Sequence, residues 1–190
     1  MDSLEQIITQ TKSEDSLSKL FSAQIELARE MEDFAKLAEI ELKLAKISSY
    51  DGIEMQRHAQ NALDYYSAQQ DTANIIDATY QIAYSKQLQN DYDSTLFFAK
   101  EVVYLAEKSQ NTVSVISGRL MLSSVHNHLG QYPESLQELN RSKILAENTP
   151  NNKSVITDIL NRESFIYYSL GEYDESADRI SQIIEILKPE

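Results

Sequence analysis

The chain has 190 residues with only four glycines, three prolines and no long polar tract, so little of it can be linker and its length suits one sizeable domain. Its net charge is −13, from 30 acidic and 17 basic residues without a visible basic face, so neither nucleic acid nor direct membrane-surface binding is expected. The absence of cysteine removes disulfides, thiolate catalysis and Cys-based metal sites together, and no apolar run approaches the roughly 18 residues of a membrane span. These features suit a cytoplasmic chain if the sequence is complete, or a periplasmic one if it is an excised sensor domain.

Helical spacing of apolar residues runs through the whole chain. Residues 2–12 read as a short helix with Leu4, Ile7 and Ile8 on one face. Ser13-Glu14-Asp15 starts a second, reaching about Met31 on Leu17, Leu20, Phe21, Ile25, Leu27 and Ala28. Asp33 caps a helix to about Ser49, with Phe34, Leu37, Ala38, Ile40, Leu42, Leu44 and Ile47 as its apolar set. Tyr50-Asp51-Gly52 reads as a turn, and Ile53 to Gln69 as the partner helix. Asp71-Thr72 introduces helices over 73–89 and 92–109, and Asn111-Thr112 introduces 113–129 and 132–147. A loop over 148–152 holds Pro150, and Asn151-Asn152-Lys153-Ser154 introduces 154–170 and 173–187. Asp71, Asn111 and Asn151 lie 40 apart, and no stretch alternates as a strand would.

The same spacing recurs in a motif. Leu129-Gly130-Gln131-Tyr132-Pro133-Glu134-Ser135 returns 41 residues later as Leu170-Gly171-Glu172-Tyr173-Asp174-Glu175-Ser176, and Asn90-Asp91-Tyr92-Asp93-Ser94-Thr95 precedes it by 40. Fixed-period similarity marks a repeat architecture. Gly130, Gly171 and Asn90 suit a helix C-terminus that turns through positive φ. Pro133 fits the first turn of the next helix, and Glu134, Asp174 and Glu175 put negative charge where its dipole favours it. Tyr92, Tyr132 and Tyr173 are expected to pack back on the preceding helix. Thr95, Ser135 and Ser176, one turn on, let two helices approach closely. Gly118 falls within a helix, where alanine is expected to be tolerated unless a neighbouring helix packs on it.

Leu129, Gly130, Tyr132, Ser135 and Leu139, with Leu170, Gly171, Tyr173, Ser176 and Ile180 and with Tyr92, Thr95 and Ala99, resemble the tetratricopeptide repeat family. The period of 40 to 41 exceeds the family's usual 34 and looks like its long-period bacterial form. The resemblance implies an all-α solenoid of stacked antiparallel helix hairpins, a right-handed superhelix whose first helices line the concave wall. One domain over 1–190 would hold a partial hairpin at 2–31 and full ones at 33–69, 73–109, 113–147 and 152–187.

In that register the wall presents Asp77, Tyr80, Tyr84 and Gln87, then Ser117, Leu120, Ser124, Asn127 and His128, then Asp158, Asn161, Arg162, Phe165 and Tyr168. The resemblance implies a protein- or peptide-binding module, the sensory or scaffolding region of a bacterial signalling or regulatory protein. No cofactor and no enzymatic activity are expected. Four scattered glycines form no phosphate loop, and His126 and His128, two apart on a helix, point to different faces and cannot chelate as an i, i+4 pair. The alternatives are a structural or homodimerisation domain with an empty groove, and a small-molecule binder. A contact at the last helix is expected: a further helix of a longer chain, or a homodimer through the terminal repeat. There Ile180, Ile183, Ile184 and Leu187 form a stripe for the hairpin partner, leaving Ile186 and Ala177 uncovered.

Overall fold

The computed structural model describes residues 14–48, 51–150 and 152–188, and in these nine helices follow one another without a strand. They are α1 (Glu14–Glu30), α2 (Phe34–Ile47), α3 (Gly52–Gln69), α4 (Thr72–Leu88), α5 (Tyr92–Lys108), α6 (Thr112–His128), α7 (Tyr132–Glu147), α8 (Lys153–Leu170) and α9 (Tyr173–Leu187). The expected helix over 2–12 lies outside the described residues, as do Tyr50 and Asn151.

One turn builds the array. Residues Glu32, Gln70, Asn90, Gln110, Gly130 and Gly171 all take positive φ, between 54 and 80°. At each, the next N–H reaches back five residues to close the helix end: Asp71 N to Tyr66 O at 3.1 Å, Asp91 N to Lys86 O at 3.0 Å, Gln131 N to His126 O at 2.8 Å. That next residue is also the N-cap of the following helix. Asp33, Asp51, Asp71, Asp91 and Asn111 each accept a backbone N–H of the first turn on the side chain. Gln131, Asn152 and Glu172 do not. Asn152, rather than Asn151, begins α8, and its amide donates instead to Ala146 O at 3.0 Å, closing the end of α7. Gly52 is the first residue of α3 and not part of a turn.

The helices stack in sequence order, each packed on the one before and the one after. α2 also touches α4, and α4 touches α6, so the first helices of successive hairpins lie side by side on the inner wall. The core runs along the stack as linked clusters. Ile76, Ala99, Val102 and Met121 fill the centre, and Leu139, Ile159 and Ile166 fill the C-terminal part, with Leu145 touching both. Small residues set the spacing: Ser123 and Ser135 share a hydrogen bond at 2.8 Å between α6 and α7, and Ser164 and Ser176 at 3.0 Å between α8 and α9.

Three expectations are corrected. Gly118 is buried against α5, and a Cβ there would stand 2.8 Å from Val103 Cγ2, so the neighbouring helix does pack on it. Leu27 faces solvent, whereas Phe21 and Ala28 carry the buried face of α1. On α9, Ile183 and Ile186 are half-buried, while Ile180, Ile184 and Leu187 are exposed. The rotation of α9 is set by Ser176 against Ser164 and by Arg179, which donates to Glu163 Oε2 at 2.6 Å and lies over the Tyr167 ring. The corner tyrosines also divide. Tyr173 meets Tyr168 of the preceding helix edge-on at 5.5 Å, but Tyr92 stacks forward on His128 at 5.6 Å.

Candidate functional site: the inner wall

The inner wall is built by α2, α4, α6 and α8. Phase alone puts Asp77, Tyr80, Tyr84 and Gln87 on one face of α4, one turn apart. All four are half-buried, as are Ser117, Leu120, Ser124 and Asn127 on α6. The two helices are joined across the wall by Gln87, whose amide donates to Ser124 Oγ at 2.8 Å. Tyr80 and Tyr84 pack, half-buried, against the central core, and Tyr80 also lines a cleft of the wall. Burial pushes the Tyr80 hydroxyl above its ordinary pKa and Tyr84 adds to this; Arg162 on α8 opposes it, so its charge reaches across to α4.

Two clefts open here and meet at Val113 and Ser117 of α6. One, of about 250 Å³, is lined by Lys46, Ile76, Asp77, Tyr80, Gln81, Val102, Val113, Ser114 and Ser117. The other, of about 240 Å³, runs from Val113, Ile116, Ser117 and Leu120 to Thr149, Pro150, Asn152 and Val155. Charges on the wall are paired: Lys46 with Asp77 at 2.8 Å, and Arg162 with Asp158 at 2.9 Å. The carbonyl oxygen Oδ1 of Asn127 is buried and accepts no hydrogen bond, an acceptor without the donor that a buried group requires.

The remaining expected residues fall outside this centre. Asn161 is exposed on α8. His128 is exposed at the end of α6 beneath the Tyr92 ring. Phe165 and Tyr168 are exposed on α8, Tyr168 against the Tyr173 ring, and neither lines either of these two clefts. Sequence phase did not find Lys46 or Val113. Lys46 sits one position off the groove phase and arrives there through its long stem, which no periodic signal marks.

Two further clefts lie away from this wall. The larger, about 450 Å³, is lined by Glu107, Val115, Arg119, Arg141 and Ile144 among others. Both arginines there are engaged, Arg119 with Glu107 and Glu138 and Arg141 with Glu138, at 2.7 to 2.8 Å. The other, about 340 Å³, is bounded by α1, α2 and α3 around His58, a residue without a sequence signal. His58 Nδ1 donates to Glu41 Oε2 at 2.5 Å, and Arg57, which can only donate, meets Nε2 at 2.9 Å. Burial pushes the Glu41 carboxyl up, but the hydrogen bond and charge of His58, with Asn61 and Arg57 behind them, prevail and hold it below its ordinary value.

Among the described residues no helix is long and apolar enough to cross a membrane, and no group of three or more His, Asp or Glu side chains is placed to hold a metal ion. No family model matches the sequence, and no curated protein matches it. Among solved structures, the crystal structure of the apo form of RapI is similar over 95% of this chain, with a TM-score of 0.84 at 14% sequence identity. This chain spans 66% of the RapI chain. The likeness is one of fold: a solenoid of helical hairpins.

Proposed function

We propose that this chain is a binding module of the tetratricopeptide type, and that its inner wall takes an extended segment of a partner protein or peptide. The observation that carries this is the pair of clefts meeting at Ser117, with the unsatisfied Asn127 acceptor about 15 Å further along the same helix. A peptide backbone offers N–H donors at regular intervals, which is what a buried amide oxygen lacks. Half-buried Tyr80 and Tyr84 present rigid aromatic edges at little entropic cost, as binding surfaces commonly do. The paired ions leave no strong net charge on the wall, which favours a polar and apolar segment over a highly charged one. Binding rather than catalysis fits a wall without a nucleophile–base pair. The long-period resemblance extends the proposal to a sensory or scaffolding role in a bacterial signalling protein, and the fold shared with RapI supports the helical scaffold such a role uses.

The test is a peptide-array comparison of the wild type with Ser117→Trp and Asn127→Ala. Ser117 is half-buried where the clefts meet, so the indole fills both without entering the core. Both variants are expected to keep the wild-type melting temperature within a few degrees and to lose captured peptides. Equal capture by all three proteins would remove the inner wall from the account.

A further inference from the structure

The second helix of each internal hairpin is covered by the hairpin that follows. On α5 the covered positions are Ala99, Val103 and Ala106, and on α7 Leu139 and Ala146, all 0 to 9% exposed. The equivalent positions on α9, 41 residues after those of α7, are Ile180 and Leu187, with Ile184 between them; they are 41, 64 and 56% exposed. Tyr173 and Ala177 complete the face, and both are exposed. The five residues are spaced four, three, four and three apart. That is a period of 3.5, the seam along which one helix pairs with another in a left-handed coil.

We propose that this face pairs two copies of the chain, α9 against α9, antiparallel about a two-fold axis near Ile180 and Ser181. Charge selects this occupant and this direction. Asp174 and Lys188 flank the seam on the same side at its opposite ends, both exposed, and Lys188 meets Glu185 of its own helix at 2.7 Å in an exposed pair that it can share or exchange. Antiparallel pairing levels Asp174 of each copy with Lys188 of the other, twice per dimer, whereas parallel pairing would level like with like. The other acids of α9, Glu175, Asp178 and Glu185, lie off the seam, and Arg179 is held within its own hairpin by Glu163 and Asp178. A self-complementary patch closes at two copies. The seam is short: a standard interface buries about 800 Å² per partner, and a face of five side chains offers less. The net charge of −13 on each copy also opposes association. The dimer is therefore concentration-dependent, half-formed at roughly tens to hundreds of micromolar.

Analytical ultracentrifugation of the 190-residue chain over roughly 5 to 500 μM, at near-physiological salt, tests this. The wild-type mass is expected to rise from monomer towards dimer, and Ile184→Glu, altering an exposed residue, to remain monomeric throughout. Asp174→Lys and Lys188→Asp are each expected to weaken self-association several-fold. Mixing these two variants restores both ion pairs in a mixed dimer and is expected to return the wild-type affinity. A wild type that stays monomeric at the highest concentration overturns the proposal and gives the face to a different helix. A dimer that survives Ile184→Glu, or a mixture no tighter than either variant alone, overturns it equally. Neither readout depends on the inner wall.

Discussion

Gly171 takes φ +80° with open space around its α-carbon, whereas Gly118 lies in mid-helix against Val102, Val103 and Ala99. Substitution separates the two constraints. Gly171→Val strains the backbone alone and is expected to cost about 1 kcal/mol. Gly118→Ala gains about 1 kcal/mol of helix propensity but pushes a methyl group into the α5 side chains, where overpacking costs about 1–3 kcal/mol, so a net loss is expected. Urea melts of both variants check this; a stabilised Gly118→Ala would mean that α5 moves aside freely. At Glu41 the same scale gives a pH dependence. Its carboxyl is held below the unfolded-state value, so its stabilisation is present above about pH 4 and is lost as pH falls through the folded value. The stability gap between wild type and Glu41→Gln is therefore expected to be widest near neutrality and to close on acidification. A gap unchanged between neutral pH and about pH 3 would sink this account.

Helices and turns were legible because each turn makes one chemical demand repeatedly. A residue tolerating positive φ leaves Asn90 and Gly171 visible in the sequence, and at Asn90 the side-chain acceptor Asp91 follows it. Gln70 and Gln110 take the same backbone without advertising it, so the equivalence of turns within and between hairpins emerges only in the structure. On the inner wall, phase marked Tyr80, Tyr84 and Ser124, and the fold leaves all three half-buried. Phase could not locate Lys46, which reaches the wall by side-chain length. The rotation of α9 was illegible for another reason: two apolar arcs compete, Ile180, Ile184 and Leu187 on one and Ile183 and Ile186 on the other, and polar contacts at Ser176 and Arg179 turn the second towards α8. Gln131 stands where Asp51, Asp71, Asp91 and Asn111 cap their helices, but its side chain makes no cap bond and is instead held by His126 Nδ1 at 2.7 Å. Gln131→Asp is expected to raise stability by about 0.5–1 kcal/mol through a cap on α7, read from thermal melts. A lower melting temperature would show that the His126 contact matters more.

In the whole molecule, each helix leans chiefly on its sequence neighbours, so stability is distributed as in a one-dimensional array. The joint between α7 and α8 is less extensive than those between α3 and α4 or α5 and α6, and it coincides with the loop at 148–152 and an uncapped α8. The hairpin of α8 and α9 is therefore expected to open without the rest. Hydrogen exchange followed by mass spectrometry should show α8 and α9 losing protection well before α4, α5 and α6. Uniform protection across the chain would instead indicate a single cooperative unit.

The identical turns give the chain a parity. Positive-φ residues at 70, 90, 110 and 130 divide it into steps of 20, one helix and one turn each. A step carries the chain from the inner wall to the outer one, and the next step brings it back. Excising residues 72–111 removes two steps and leaves every later helix on its own side. Excising 72–91 removes one, and α5 through α9 would exchange walls, sending Ser117 outward and Phe97 inward, much as a one-residue slip inverts a strand. The longer deletion is expected to yield the more stable protein by urea melt, although it discards twice as much chain. The reverse order would mean that inner and outer walls are interchangeable. Length changes in such a chain are thus tolerated by the pair, as frames are in a coding sequence, and not by the residue.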